Sequence, residues 1–406
     1  MRRRYFQAFG IPAATALLLM MFSAGRILAN FAGGFFGTIE SIPIDRLIRN
    51  LEEFAAKDPK NAASRLNLAR VHSMAYALKS APTDEVQIQT LPGQPPALFS
   101  DPSDKAVPFQ IKPTVDSALG KAAAEHLAKA IDLYRQGLEL DQSNLVAKLG
   151  YGWCLEQLGD RSKAITAYRQ VVLEAWTREA RVDQSGRIAS GVSPLGTSIT
   201  SEAAGYLIPL LDRDRDRDEV ATLQERIRVL GVGPRGITPI VIPLSNETDA
   251  SKLINANARV SFDADGSGAR KPWTWITPSA GWLVHAPARV RTIDSAMQMF
   301  GSVTFWLFWE NGYDALRSLD DNGNGALEGK ELADLAIWRD ANSNGLTDEG
   351  ELKPLADWGI VSVNCAYENT RGRKDYVAFS AKGVTFKDGR THPTYDVILY
   401  TQRATE

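Results

Sequence analysis

Apolar residues recur at helical spacing over residues 42–80 and again over 115–176. Between them, residues 81–114 carry Pro82, Pro92, Pro95, Pro96, Pro102, Pro108 and Pro113. Proline lacks a backbone donor and clashes with the preceding helical turn, so this stretch predicts an extended insertion. Residues 177–199, rich in Gly, Ser and Thr, read as a linker. Helical spacing returns over 200–235 as a third hairpin of two short segments. At their junction Asp212, Asp214, Asp216 and Asp218 alternate with arginines. No glycine follows to turn the chain, so this run reads as a solvated, self-neutralising junction. From Ile237 the pattern becomes strand-like in ITPIVIPL and ARVSF, and again over Val361–Tyr400. The expected architecture is multidomain: an all-α array of helical hairpins, then an α+β module with flanking β-strands over 236–406.

The helical half contains a repeat. In GYGWCLEQLGDRSKAITAY, Gly152, Leu155, Gly159, Ala164 and Tyr168 stand at characteristic positions, and Ala130, Tyr134 and Gly137 precede them at the same phase. Small residues are needed where the two helices of a hairpin cross closely, and the tyrosine fills the groove to the next hairpin. The pattern resembles the tetratricopeptide repeat, with hairpins over 42–176, interrupted by the 81–114 insertion, and over 200–235. The resemblance implies a stacked array whose surface takes a protein or peptide partner and carries no chemistry of its own.

Composition narrows the function. The 406 residues have a net charge of −2, which argues against nucleic acid as a partner. Two cysteines exclude a disulfide-dense scaffold and a cysteine zinc cluster, and Cys154 and Cys365 read as small buried residues. The four histidines show no paired ligand spacing, and His285 and His392 read as surface or turn positions. Residues 1–29 have the form of a signal peptide: Arg2–Arg4, then the apolar stretch Ile11–Phe22, then small residues. This predicts a secreted, periplasmic or envelope protein, with a membrane contact only if the segment stays uncleaved.

The charge is unevenly spread. Asp314–Asp357 holds eleven acids against four bases. Within it, DDNGNGALEGKE (Asp320–Glu331) has the spacing of a calcium loop. Asp320, Asn322 and Asn324 take positions 1, 3 and 5, and Gly325 takes position 6, where the chain turns sharply. Ala326 offers a backbone carbonyl, Glu328 stands at position 9 and Glu331 closes the loop at position 12. Leu327 at position 8 is the apolar residue that pins the loop to a neighbour. DANSNGLTDEGE (Asp340–Glu351) repeats the scheme with Asp340, Asn342, Asn344, the Leu346 carbonyl, Asp348 and Glu351. An all-oxygen set of this kind suits Ca²⁺. With asparagines where stronger sites have aspartates, the expected affinity is on the order of 10⁻⁶–10⁻³ M. The twenty-residue offset makes Glu331–Trp338 a short helix shared by both loops, which favours calcium as a structural brace over a switch. DADGSG gives a weaker third candidate, with Asp263, Asp265 and Ser267 at positions 1, 3 and 5 but Thr274 at position 12.

Residues 258–400, through VSFDADGSG, GWLV, NGYDALRSLDDNGNG, LAIWRDANSNGLTDEGELKPLADWGIVSV and GVTFKDGRTHPTYDVIL, resemble the EF-hand-type calcium module of large secreted bacterial proteins that also carry haemolysin-type repeats. The resemblance implies a secreted or surface location and calcium-dependent folding, and no catalytic activity. The family has a further Asp/Asn loop after GWLV. Here His285, Pro287, Arg289 and Gln298 replace its oxygen ligands, so that site has lost its metal. Seven of the nine tryptophans fall in this half, as a packed core or as a sugar-binding platform. The main expectation is an exported, non-enzymatic calcium-binding scaffold. The alternatives are a carbohydrate-binding adhesin and a secreted hydrolase with structural calcium.

Overall fold

A computed structural model describes residues 39–79, 86–88, 111, 113–180, 198–230, 236–264, 270–370 and 375–401. Residues 1–29, read above as a signal peptide, most of the 81–114 stretch and most of 177–199 lie outside them. Among the described residues, no helix is long and apolar enough to cross a membrane.

The N-terminal half is helical. Its main elements are α1 (Ile44–Lys57), α2 (Ala62–Leu78), α3 (Ser117–Leu140), α4 (Leu145–Gln157), α5 (Arg161–Glu179), α6 (Ile199–Leu207) and α7 (Arg217–Leu230). Each of α2 to α6 starts at a side chain that accepts backbone N–H groups of the first turn: Asn61, Asp116, Asn144, Asp160 and Ser198. Such caps supply acceptors to N–H groups that a helix start otherwise leaves unpaired, each stabilising it by about 1 kcal/mol. Glycine lets the helices approach where tyrosines fill the space. The Tyr134 ring occupies the position a side chain at Gly150 would need, and a Cβ at Gly152 would lie 3.2 Å from Tyr168. Tyr168 and Tyr134 are buried accordingly, and Gly159, at φ +88°, turns α4 into α5. At the α6–α7 junction Asp212 accepts the N–H groups of Asp214 and Arg215, and Arg215 pairs with Asp216 in the open. Ahead of α1, strand β1 (Ile39–Ile42) pairs antiparallel with β2 (Val86–Ile88) from the insertion.

The C-terminal half is a β structure. Strands β4 (Ile240–Pro243), β7 (Ala280–His285), β8 (Ala326–Glu328), β9 (Leu335–Trp338), β10 (Leu352–Pro354), β11 (Ile360–Asn364), β13 (Tyr376–Phe386) and β14 (Thr391–Val397) form one antiparallel sheet in the order β10-β9-β7-β4-β14-β13-β11-β8, with β12 (Glu368–Asn369) beside β13. The hairpin β5 (Ile254–Phe262) and β6 (Lys271–Ile276) and the small pair β3 (Gly236–Ile237) and β15 (Leu399–Tyr400) complete it. Strands β4, β7 and β9 are buried along their whole length, because the sheet is covered on both faces there. Their core is aromatic. Trp275 meets Phe262, Trp282 and Trp338 edge-on at 5.2–5.8 Å between ring centres. Trp273, Trp275, Trp282 and Trp338 are fully buried, so these four pack the interior and offer no platform to a sugar.

The segment Glu331–Trp338 is not the shared helix expected from its spacing. A single 3₁₀ turn, Gly329–Leu332, is followed by strand β9. Leu335–Trp338 pair with β7 on one side and β10 on the other, and sheet pairing on both edges outweighs a two-turn helix with no helical neighbour. Leu327 is buried and stands opposite Val363 of β11, the neighbour to which the first loop is pinned.

The two halves meet through polar groups that grip irregular backbone. Asn67 of α2 donates to the Phe308 carbonyl at 2.9 Å and accepts from the Phe308 N–H at 3.0 Å. Arg70, buried on the same helix, donates to the Trp306 carbonyl and lies 4.0 Å from the Phe308 ring centre. The gripped segment is strained: Phe305 and Trp306 take φ of +58° and +60°. Removing the Asn67 amide leaves both Phe308 backbone groups without partners, at about 1–3 kcal/mol for a buried polar group. Asn67→Ala is therefore expected to lower unfolding stability by about 2 kcal/mol. Urea denaturation of the full chain checks this, and an unchanged midpoint would show that the grip contributes nothing.

Candidate metal centre

Both twelve-residue loops close in the same way. In the first, Asp320 Oδ2 accepts the Gly325 N–H at 2.8 Å and Oδ1 accepts that of Asn324 at 3.2 Å. Asn322 and Asn324 each accept the N–H two residues on. Glu331 reaches back across the loop. Its Oε1 accepts the N–H of Asp321 at 2.8 Å and of Asn322 at 3.2 Å, and its Oε2 that of Glu328 at 2.9 Å.

The second loop repeats this position by position. Asp340 accepts from Gly345 at 2.8 Å and Asn344 at 3.0 Å. Glu351 accepts from Ala341 at 2.7 Å and Asp348 at 3.1 Å. Gly325 and Gly345, at position 6, have φ of +87° and +71°. Position 4 is also left-handed in both, at Gly323 and Ser343. The first and last carboxylates of each loop, Asp320, Glu331, Asp340 and Glu351, are buried, while Asn322, Asn324, Glu328, Asn342, Asn344, Leu346 and Asp348 face outward and Ala326 is half-buried.

The surroundings differ. The second loop joins β9 to β10, and its Asp340 also accepts the Trp275 indole N–H at 2.8 Å. Burial raises the Asp340 carboxyl above the usual carboxylate range. Asp348 accepts both the Asn342 and Asn344 side-chain amides, at 2.7 and 2.9 Å. The first loop leads from a short helix, Gly312–Arg317, into β8, and its back is covered by the buried Cys365, whose N–H bonds the Gly325 carbonyl.

Among the described residues, no three His, Cys, Asp or Glu side chains converge closely enough to hold a metal ion by themselves. A loop of this type relies on amide and carbonyl oxygens as much as on carboxylates. Of the third candidate, Asp263 is buried, with its carbonyl accepting the Ala296 N–H; Asp265 and Ser267 lie outside the described residues. In the segment read as a lost site, Gln298 ties the turn itself, accepting from Asp294 and Ser295 and donating to Thr292.

Residues 241–400 match the family model of the SPM domain. The matched span runs from within β4 to the end of β15 and contains both loops and the aromatic core. No curated protein matches the chain.

Two histidine expectations are corrected. His285 is buried, at the end of β7, and its ring packs edge-on against Phe305. His392 is half-buried in β14. The histidines are also paired in space: His72 Nδ1 lies 2.8 Å from His126 Nδ1 across the α2–α3 packing. Beside His72 a cavity of about 580 Å³ opens between α1, α2 and α3, lined by Glu52, Ala55, Leu68, Lys129 and Leu133 among others. No sequence signal joins residues so far apart across a proline-rich insertion.

Burial, then the neighbouring His126 and Lys129, lowers the His72 pKa to about 3, and burial with Arg46 and Arg289 lowers that of His285 to about 3. The unfolded chain binds these protons near pH 6.5 and the native chain only near pH 3. The associated stability is complete above pH 6.5 and falls as the pH drops through that window. At pH 5 each histidine costs about 2 kcal/mol relative to neutral pH. His285→Phe is expected to shrink the stability difference between pH 7 and pH 5 by that amount. Urea midpoints at the two pH values test it, and an unaltered difference would mean that His285 titrates normally.

Proposed function

We propose that the chain is an exported calcium-binding scaffold. In this reading two EF-hand-type loops hold Ca²⁺ as a structural brace, and the tetratricopeptide-like helical half serves protein contacts. The observation that carries it is the repeated closure. In both loops the residues at positions 1 and 12 are turned inward and oriented by N–H groups at positions 2, 5, 6 and 9. A solvated turn has no reason to bury a glutamate eleven residues from a buried aspartate, and to do so twice. Divalent charge would offset the cost of burying two carboxylates in each loop.

The connections favour a brace over a switch. The second loop is the link between two adjacent sheet strands, and the first runs directly into β8, so neither has a pair of long helices to swing apart. Metal held by the native loops and not by the unfolded chain stabilises the fold by mass action, by about 2.7 kcal/mol at a hundredfold excess over Kd.

Calorimetric titration of the full chain with CaCl₂ is expected to give two equivalents and a raised melting temperature. Glu331→Gln and Glu351→Gln are each expected to remove one equivalent and part of the thermal gain. Unaltered binding and melting in both variants would overturn the reading.

A further inference from the structure

The two loops are braced from different places. The second is held within the β half: Trp275 donates to Asp340, Arg270 to the Gly345 carbonyl, and Ile293 to Thr347. The first is held by the helical half. Arg46 of α1 bonds the Asp321 carboxylate at 2.8 Å and the Leu319 carbonyl at 2.7 Å. Asn50, buried on the next turn of α1, donates to the same carboxylate and to the Ser318 carbonyl, each at 2.9 Å. Arg49 adds a longer contact to Asp321 at 3.4 Å.

Asp321 is the pivot. It stands at position 2, where no metal ligand is needed, and its side chain is held by α1. Its backbone N–H is the shorter of the two that Glu331 Oε1 accepts, at 2.8 Å. The position-2 residue of the second loop is Ala341, which makes the same backbone bond and has no side chain for a helix to hold. Position 4 carries less weight. Gly323 and Ser343 share a left-handed backbone, so the turn does not itself demand glycine. A Cβ at Gly323, however, would lie 2.5 Å from Lys57 Nζ at the end of α1. That contact is with the movable end of an exposed lysine, so the difference between the loops lies at position 2, where the first carries a side chain that α1 holds and the second does not.

We propose that Arg46 and Asn50 are positioning residues for the first metal loop, so that its calcium affinity depends on the docked helical half while that of the second loop does not. This inference rests on the calcium reading. The direction follows from preorganisation: a fixed Asp321 fixes the N–H that aims the closing glutamate, and less ordering is left for the metal to impose. Partners that orient a metal ligand typically alter affinity by about 10–100-fold when removed.

The test uses the full chain titrated with CaCl₂. A Glu351→Gln background leaves the first loop alone, and a Glu331→Gln background leaves the second. Asn50→Ala, which changes no charge, and Arg46→Ala are expected to weaken the first loop's calcium binding about tenfold and to leave the second loop's Kd unchanged. Arg46→Lys, which keeps the charge without the two-pronged contact, is expected to restore the affinity only in part. Unaltered or tighter binding at the first loop in Asn50→Ala overturns the inference while two equivalents in the unsubstituted chain leave the calcium reading standing. Equal weakening at both loops would mean a general loss of fold and also overturns it. An unsubstituted chain that binds no calcium overturns the calcium reading itself.

Discussion

A carboxylate at the end of a twelve-residue loop has no reason to turn inward unless something holds it there. Glu331 and Glu351 are held by N–H groups near both ends of their loops, and the remaining features of the β half serve to keep those donors in place. Left-handed residues at positions 4 and 6 aim the N–H groups of positions 5 and 6 at the opening aspartate. Strands β8, β9 and β10 fix where the loops enter and leave. The tryptophan cluster backs the second loop directly, because one of its indoles donates to Asp340. Aromatic packing and loop geometry are therefore one structure and not a core with a site attached.

What was legible in the residues follows from distance along the chain. The hydrogen bonds made within each loop, between its own backbone and its own side chains, span ten residues or fewer, so spacing alone locates Asp320, Glu331, Asp340 and Glu351. The caps of the helices and the Gly–Tyr pairings between them are similarly local. Glu331–Trp338 misleads because ELADLAIW satisfies helical spacing, while its second half is a strand buried on both faces and apolar throughout. Only its neighbours β7 and β10 decide between the two, and they come from elsewhere in the chain. His285 misleads for the same reason, since a histidine closing the fully buried strand AGWLVH carries no sign of its burial.

The contacts between the halves were not legible at all. Asn67 and Arg70 meet residues 306–308 across more than 230 positions, and Asn50 meets Ser318 across 268. None belongs to a motif. Their common feature is a polar side chain on an otherwise buried helical face, which periodicity records only as an interruption. Such residues are explained by what they bind, here the carbonyls and N–H groups of irregular chain that no sheet partner satisfies.

This arrangement bears on what the helical half can offer to others. Part of its polar face, on α1 and α2, is already committed to backbone of the same chain, so a protein partner in trans would have to use another face or displace residues 306–321. Displacement is costly where Arg70 is buried and Asn67 pairs both backbone groups of one residue, since each would lose its partner in a dry environment. Leu158 at the α4–α5 turn and Leu173 on α5 are each 62 % exposed. On the proposed reading of the helical half as a scaffold for protein contacts, these leucines offer a partner apolar surface on helices other than α1 and α2. On the calcium reading, occupancy of the first loop is linked by reciprocity to the near end alone, because whatever docking contributes to metal binding, metal binding must contribute to docking.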